Sequence, residues 1–212
     1  MKKLLVFLSC IVAALFLCTT SHAADFDFSG TFTYDNDVVL LDFTVGVDST
    51  ITIFSSSWDD GGFDPILAIW DGSDDLVYEQ DDGYNTGSTM SNGVWYDHGT
   101  WDSYYDVWLS AGDYTASIAQ YSNFANGSNL SSGFSYDGNE NFTFDLGFGP
   151  QPYFNGVWEA NDARTGDWAF HILNVAEASQ QEPSVPEPAT MLLLGSGLMG
   201  LGIFGRKKLF KK

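Results

Sequence analysis

Hydrophobic and polar residues alternate with period two along much of the chain. Phe26-Asp27-Phe28-Ser29-Gly30-Thr31-Phe32-Thr33-Tyr34 is the first such run. Thr50-Ile51-Thr52-Ile53-Phe54, Tyr114-Thr115-Ala116-Ser117-Ile118 and Trp168-Ala169-Phe170-His171-Ile172 follow. Successive strand side chains point to opposite faces, so each run predicts a strand with one buried and one wet face. Val38–Val45, Ile66–Trp70, Tyr104–Leu109 and Asn141–Leu146 are further strand candidates. Asp60-Gly61, Asp71-Gly72, Asp82-Gly83 and Asp137-Gly138 fall between the runs and suit tight turns. Residues 24–178 contain no amphipathic helical stretch of useful length. The pattern predicts an all-β fold for them, an antiparallel β-sandwich.

Both ends of the chain break this pattern. Lys2 and Lys3, an apolar Leu4–Leu17 and the small-x-small step Ser21-His22-Ala23 make residues 1–23 a secretory signal peptide, with signal peptidase as its partner and Ala24 as the expected mature start. Leu17 before Cys18 does not suit a lipidation site, and Cys10 lies too early in the apolar region. At the other end, residues 179–185 form a polar linker. The sorting segment 186–212 follows. It has a Pro186-Glu187-Pro188 step, an uncharged run over 189–204, and Arg206, Lys207, Lys208, Lys211 and Lys212. Sixteen residues make a helix of about 24 Å, near the lower limit for a transmembrane helix. The basic residues behind it keep that end in the cytoplasm, so the precursor is inserted in the inner membrane with its domain outside.

Charge and cysteine content sharpen this picture. All 28 acidic residues lie between Asp25 and Glu187, a span with Arg164 as its sole basic residue. Such a domain repels nucleic acid and attracts cations. Its aromatic density argues against disorder. Both cysteines, Cys10 and Cys18, fall in the signal peptide, so the mature chain has no disulfide, thiol nucleophile or thiolate metal site.

Val185-Pro186-Glu187-Pro188-Ala189-Thr190, the Gly-rich apolar run and Arg206-Lys207-Lys208 closely resemble the PEP-CTERM sorting signal of Gram-negative bacteria. That resemblance implies exosortase, a membrane cysteine transpeptidase, as processing partner, and the cell surface or extracellular matrix as destination. Pro186, Glu187 and Pro188 are then recognition residues of a substrate. The two prolines hold the segment extended and remove two amide donors just outside the bilayer. A second resemblance lies in the domain. Phe63-Asp64-Pro65-Ile66-Leu67-Ala68-Ile69-Trp70-Asp71, Asp81-Asp82-Gly83 and Leu109…Ala111-Gly112-Asp113-Tyr114 are similar to the bacterial pre-peptidase C-terminal domain family. This implies a jelly-roll-like sandwich and does not imply catalysis; some members bind calcium.

Two groups of residues are candidates for binding. Asp59, Asp60, Asp64, Asp71, Asp74, Asp75, Asp81 and Asp82 offer oxygen ligands of the kind calcium takes, in loops at one end of a sandwich. The EF-hand template fails because Leu76 stands where glycine is required. The alternative is that these aspartates only form turns. Trp95, Trp101 and Tyr104, within a group that includes Tyr96, Tyr105 and Trp108, are candidates for stacking against a polysaccharide ring. The alternative is that most of them fill the core. No nucleophile elbow, zinc-helix motif or phosphate loop occurs. His98 and His171 are the histidines of the mature chain, and Glu79, Glu140 and Glu159 are no more than scattered carboxylates. The expectation is therefore a non-enzymatic, exported surface or matrix protein. A calcium- or polysaccharide-binding module is the alternative, and a hydrolase of matrix sugar is the third reading.

Overall fold

The computed structural model describes residues 22–58, 60–147, 154–155 and 164–181. The signal peptide's first 21 residues, Asp59, and the segment from 182 onward, with Pro186, Glu187, Pro188 and the run 189–204, lie outside the described residues. Strands dominate: β1 (Ala24–Thr31), β2 (Val38–Val45), β3 (Ser49–Ser55), β4 (Pro65–Asp71), β5 (Leu76–Gln80), β6 (Gly87–Ser91), β7 (Val94–His98), β8 (Tyr104–Leu109), β9 (Gly112–Gln120), β10 (Asp167–Val175) and β11 (Glu177–Gln180). The protein is all-β, as the alternation predicts. Among the described residues, no helix is long and apolar enough to cross a membrane.

One sheet has the order β1-β10-β3-β8 and the other β11-β2-β9-β4-β5, while β6 and β7 pair only with each other. Every pairing is antiparallel. A single core draws on both sheets. Ile51 and Ile53 of β3, Val107 and Leu109 of β8, and Phe170 and Ile172 of β10 meet Leu41 and Phe43 of β2, Leu67 and Ile69 of β4, and Ala116 and Ile118 of β9. Each fully buried side chain of this size contributes about 1.5–3 kcal/mol. The polar partners of the same alternation meet across strands on the outer faces. Thr52 Oγ1 donates to Asp106 at 2.6 Å, Thr44 Oγ1 to Asp113 at 2.8 Å and Thr115 Oγ1 to Asp42 at 3.0 Å.

Each outer face also carries a cover. β4 is buried along nearly its whole length, because Ala68 and Trp70 face a second small cluster with Phe134. On the other sheet, the hairpin β6–β7 covers Phe54, whose ring packs against His98 and His171. The hairpin is pinned to β1 by Asn92, which donates to the Asp25 carbonyl and the Asp27 carboxylate.

Two expectations change. The segment Asn141–Leu146 is not a strand: Phe142–Asp145 is one helical turn. Its amides bond back along the chain, Phe144 N–H to the Asn141 carbonyl and Leu146 N–H to the Phe142 carbonyl, while Phe142 stacks on Tyr136 and Thr143 binds Asp35. The expected linker also starts later than residue 179, since Ser179 and Gln180 pair with Asp42 and Leu41 as part of β11.

Candidate functional site

Asp64 immediately precedes β4, and Asp81 and Asp82 immediately follow β5. These two strands pair antiparallel, with Leu67 opposite Gln80, so all three aspartates emerge at the open end of one hairpin. Each offers a carboxylate oxygen, and the three oxygens lie within 4.8 Å of one another. Asp64 is only 4% exposed. Among the described residues no hydrogen-bond partner reaches its Oδ1, nor the buried Oδ1 of Asp81 or Asp82. Burial first, then the charges of Asp81, Asp82 and Asp102, push the Asp64 carboxyl up to about 8, against the pull of Arg164. Burial and the neighbouring Asp82 and Glu79 push Asp81 up to about 6. Asp82 is also raised by burial, partly offset by a hydrogen bond from Tyr84.

The backbone around this cluster is fixed from several sides. The Asp64 carbonyl accepts the Tyr121 N–H at 2.8 Å, and the Asp81 carbonyl accepts the Ser103 hydroxyl at 2.7 Å. The Gly83 N–H donates to the Asp102 carbonyl at 2.9 Å. A side chain at Gly83 would meet that carbonyl at 2.7 Å, so the close approach requires glycine. Asp102 differs from the three. Its Oδ1 accepts the Ser55 hydroxyl and the amides of Ser57 and Trp58, and its Oδ2 accepts the Gly99 amide. It is a structural carboxylate that ties the β3–β4 loop to the β7–β8 loop. Arg164 donates to the Trp58 carbonyl at 2.6 Å and lies over the Trp58 ring at 3.4 Å.

The other candidate ligands go elsewhere. Asp71 ends β4, about 20 Å along the strand from Asp64. Its Oδ1 accepts the amides of Ser73 and Asp75, the pattern of a turn-forming aspartate. Asp75 accepts from Asn129 in the same turn, with Asp74 alongside. Asp60 is exposed in the turn before Gly62. The expected group at one end of the sandwich is thus divided between both ends of β4. The aromatic trio is divided too. Trp95 is 66% exposed. Trp101 packs against Trp58, and Tyr104 against Phe54 and His98.

A second constellation, which sequence reasoning missed, lies under the β6–β7 hairpin. His171 of β10 puts Nδ1 2.7 Å from Asp27 Oδ1 and Nε2 2.7 Å from Ser56 Oγ. Burial lowers the pKa of His171 despite the opposing pull of Asp27, so the ring is neutral near pH 7. Burial pushes the Asp27 carboxyl up, but hydrogen bonds that include those from Asn92 and His171 outweigh it and leave a carboxylate. A carboxylate only accepts, so Nδ1 carries the ring proton and Nε2 accepts from the Ser56 hydroxyl. The order Ser–His–Asp is that of a nucleophilic triad. The ring, however, lies 4.4 Å from Phe54 and 4.0 Å from Tyr96, centroid to centroid, and both Ser56 and His171 are buried. The amides that follow Ser56, those of Ser57 and Trp58, are committed to Asp102.

Comparison with known proteins bears on the end of the chain. Residues 184–208 match the PEP-CTERM protein-sorting motif. That match marks an exported protein with exosortase as its processing partner. No curated protein matches the chain.

Proposed function

We propose that the chain is an exosortase-processed protein of the bacterial surface or extracellular matrix, with a non-catalytic jelly-roll sandwich as its displayed domain. The sorting motif at residues 184–208 carries this reading. The signal peptide over 1–23 supports it, because together the two segments place everything between them outside the inner membrane.

The strand order supports the jelly roll. With the β6–β7 hairpin and β11 set aside, eight strands remain, and they pair first with last: β1 with β10, β2 with β9, β3 with β8 and β4 with β5. The further pairings β10·β3 and β9·β4 close these four ribbons into two sheets. This is one long antiparallel hairpin wrapped around a core. The non-catalytic reading is supported by Ser56 and His171. A serine nucleophile needs an exposed Oγ and nearby amides aimed at an oxyanion, whereas this hydroxyl is buried and its neighbouring amides are taken. The network is a polar clasp that holds β10, β1 and the β3–β4 loop together.

Intact mass of the protein from its native host, with and without its exosortase, tests the sorting reading. A chain beginning at Ala24 and ending near Pro186–Pro188, seen only when exosortase is present, is the expected result. A chain running to Lys212 in both strains overturns it.

A further inference from the structure

We propose that Asp64, Asp81 and Asp82 hold one calcium ion at the open end of the β4–β5 hairpin. The case starts from what these carboxylates lack. Buried polar atoms are almost always paired, and an unpaired buried charge is costly. Here three carboxylates each bury an Oδ1 that no donor among the described residues reaches. Asp64 is 4% exposed, and its side chain points into the cluster, its ligand oxygen lying within 4.8 Å of those of Asp81 and Asp82. Two oxygens on opposite sides of a calcium ion stand about 4.6–5.2 Å apart. One ion therefore reaches all three with the backbone in place.

The donor set selects the kind of ion. Carboxylate oxygens alone exclude a soft-metal site and suit a hard cation. Three carboxylates can supply up to six oxygens by mono- or bidentate contact, the flexible coordination that calcium accepts. Magnesium demands near-octahedral geometry and gives up its waters reluctantly, which a buried cluster does not suit. Three negative charges are matched by the ion's two and by Arg164, which acts electrostatically on Asp64. Neighbouring Asp102 is excluded as a ligand because its oxygens already accept four hydrogen bonds. The assignment concerns the domain alone and does not depend on how the tail is processed.

Calorimetry and thermal melting of the chelator-treated, processed protein test this, with calcium chloride and magnesium chloride as probes. Calcium gives one-site heat and raises Tm by about 5–10 °C at a hundredfold excess over Kd. Asp64→Asn and Asp82→Asn abolish both effects, while Asp71→Asn, at the far end of β4, keeps them. The chelated protein adds a sign that a merely structural aspartate would not give. Without the ion, Asp64→Asn melts higher than wild type, because it removes an acid that folding must bury without a partner. With calcium, it melts lower. Should Asp64→Asn not fold, the half-buried Asp82→Asn carries the same test. Absence of heat at millimolar calcium with an unchanged Tm overturns the proposal. So does unaltered calcium binding by both variants, or binding of magnesium in preference to calcium.

Discussion

Replacing His171 by glutamine separates two states of the buried Ser56–His171–Asp27 clasp. Ser56, Asp27, Phe54, Tyr96 and His98 face the imidazole. Burial, with a smaller contribution from His98, lowers its pKa against the pull of Asp27. The unfolded chain then takes up a proton at His171 near pH 6.5 that the folded chain does not. Stability contributed by the neutral ring is present above pH 6.5 and is lost as pH falls below it, by at most about 1.4 kcal/mol per unit. Glutamine does not titrate, so the stability difference between wild type and His171→Gln isolates this histidine from the many carboxylates. The Asp27 carboxyl is lowered from its ordinary value, so its own contribution fades only in more acidic solution. At pH 7.5 the variant is less stable by about 1–3 kcal/mol, from lost ring packing and a weakened pair of hydrogen bonds. At pH 5.5 that gap is narrower by up to about 1.4 kcal/mol. Urea unfolding followed by tryptophan fluorescence at the two pH values measures both gaps. A gap that widens on acidification would mean that His171 is charged and ion-paired with Asp27, and it would refute this account.

Further substitutions probe other parts of the frame. Ser56→Ala costs about 1 kcal/mol by unpairing His171 Nε2, and a fluorophosphonate probe leaves wild-type Ser56 unlabelled; labelling there, read by peptide mass, would make it a nucleophile. Asp35→Ala strands three donors, the Thr143 hydroxyl at 2.6 Å, the Asn155 amide at 2.7 Å and the Thr143 amide at 3.3 Å. It lowers unfolding free energy by about 3 kcal/mol or more, and Asp35→Asn by less, in the same urea assay. Gly62→Ala drives a methyl into the Asp167 carbonyl and to 2.8 Å from the Ser57 carbonyl. Backbone cannot yield as a side chain does, so a loss of about 2–3 kcal/mol is expected, while Asp60→Ala next to it changes Tm by less than about 2 °C.

The main strands were legible because their alternation is the direct signature of a half-buried sheet. β2, β3, β8 and β10 fall close to the runs that predict them. The covered faces were not legible. Phe54 and His171 sit on outward positions of β3 and β10, and only the β6–β7 hairpin laid over them makes those positions buried. That hairpin carried its own signal. Asn92 and Gly93 both take positive φ, 48° and 82°, the turn that an Asn-Gly pair favours. Its strands, Gly-Ser-Thr-Met-Ser and Val-Trp-Tyr-Asp-His, lack the usual alternation because Thr89, Ser91, Tyr96 and His98 take the more covered positions while Met90, Val94 and Trp95 are exposed. The Ser–His–Asp arrangement was invisible for a related reason. Its members lie on β1, the β3–β4 loop and β10, more than a hundred residues apart at the extremes, and no local spacing records that meeting.

The aspartates show why residue type alone did not locate the candidate site. Asp64 and Asp71 bracket the same strand, and each belongs to a motif rich in acid and turn residues. At Asp71, amides two and four residues ahead turn back to its oxygen, and water reaches the rest. A carboxylate served in this way has no need of an ion, and the local sequence Asp-Gly-Ser-Asp already encodes the turn. At Asp64, proline follows at once and removes the nearest amide donor, and the next chain segments to arrive are two more carboxylates and the closely packed Gly83. Cover by distant segments keeps water out where the local sequence supplies no donor. The same type of side chain is therefore satisfied by backbone amides at one end of β4 and is left without a donor among the described residues at the other. The proposed cation site rests on the pairing of β4 with β5 together with the missing donors, because acidity along the chain is shared by both ends of β4.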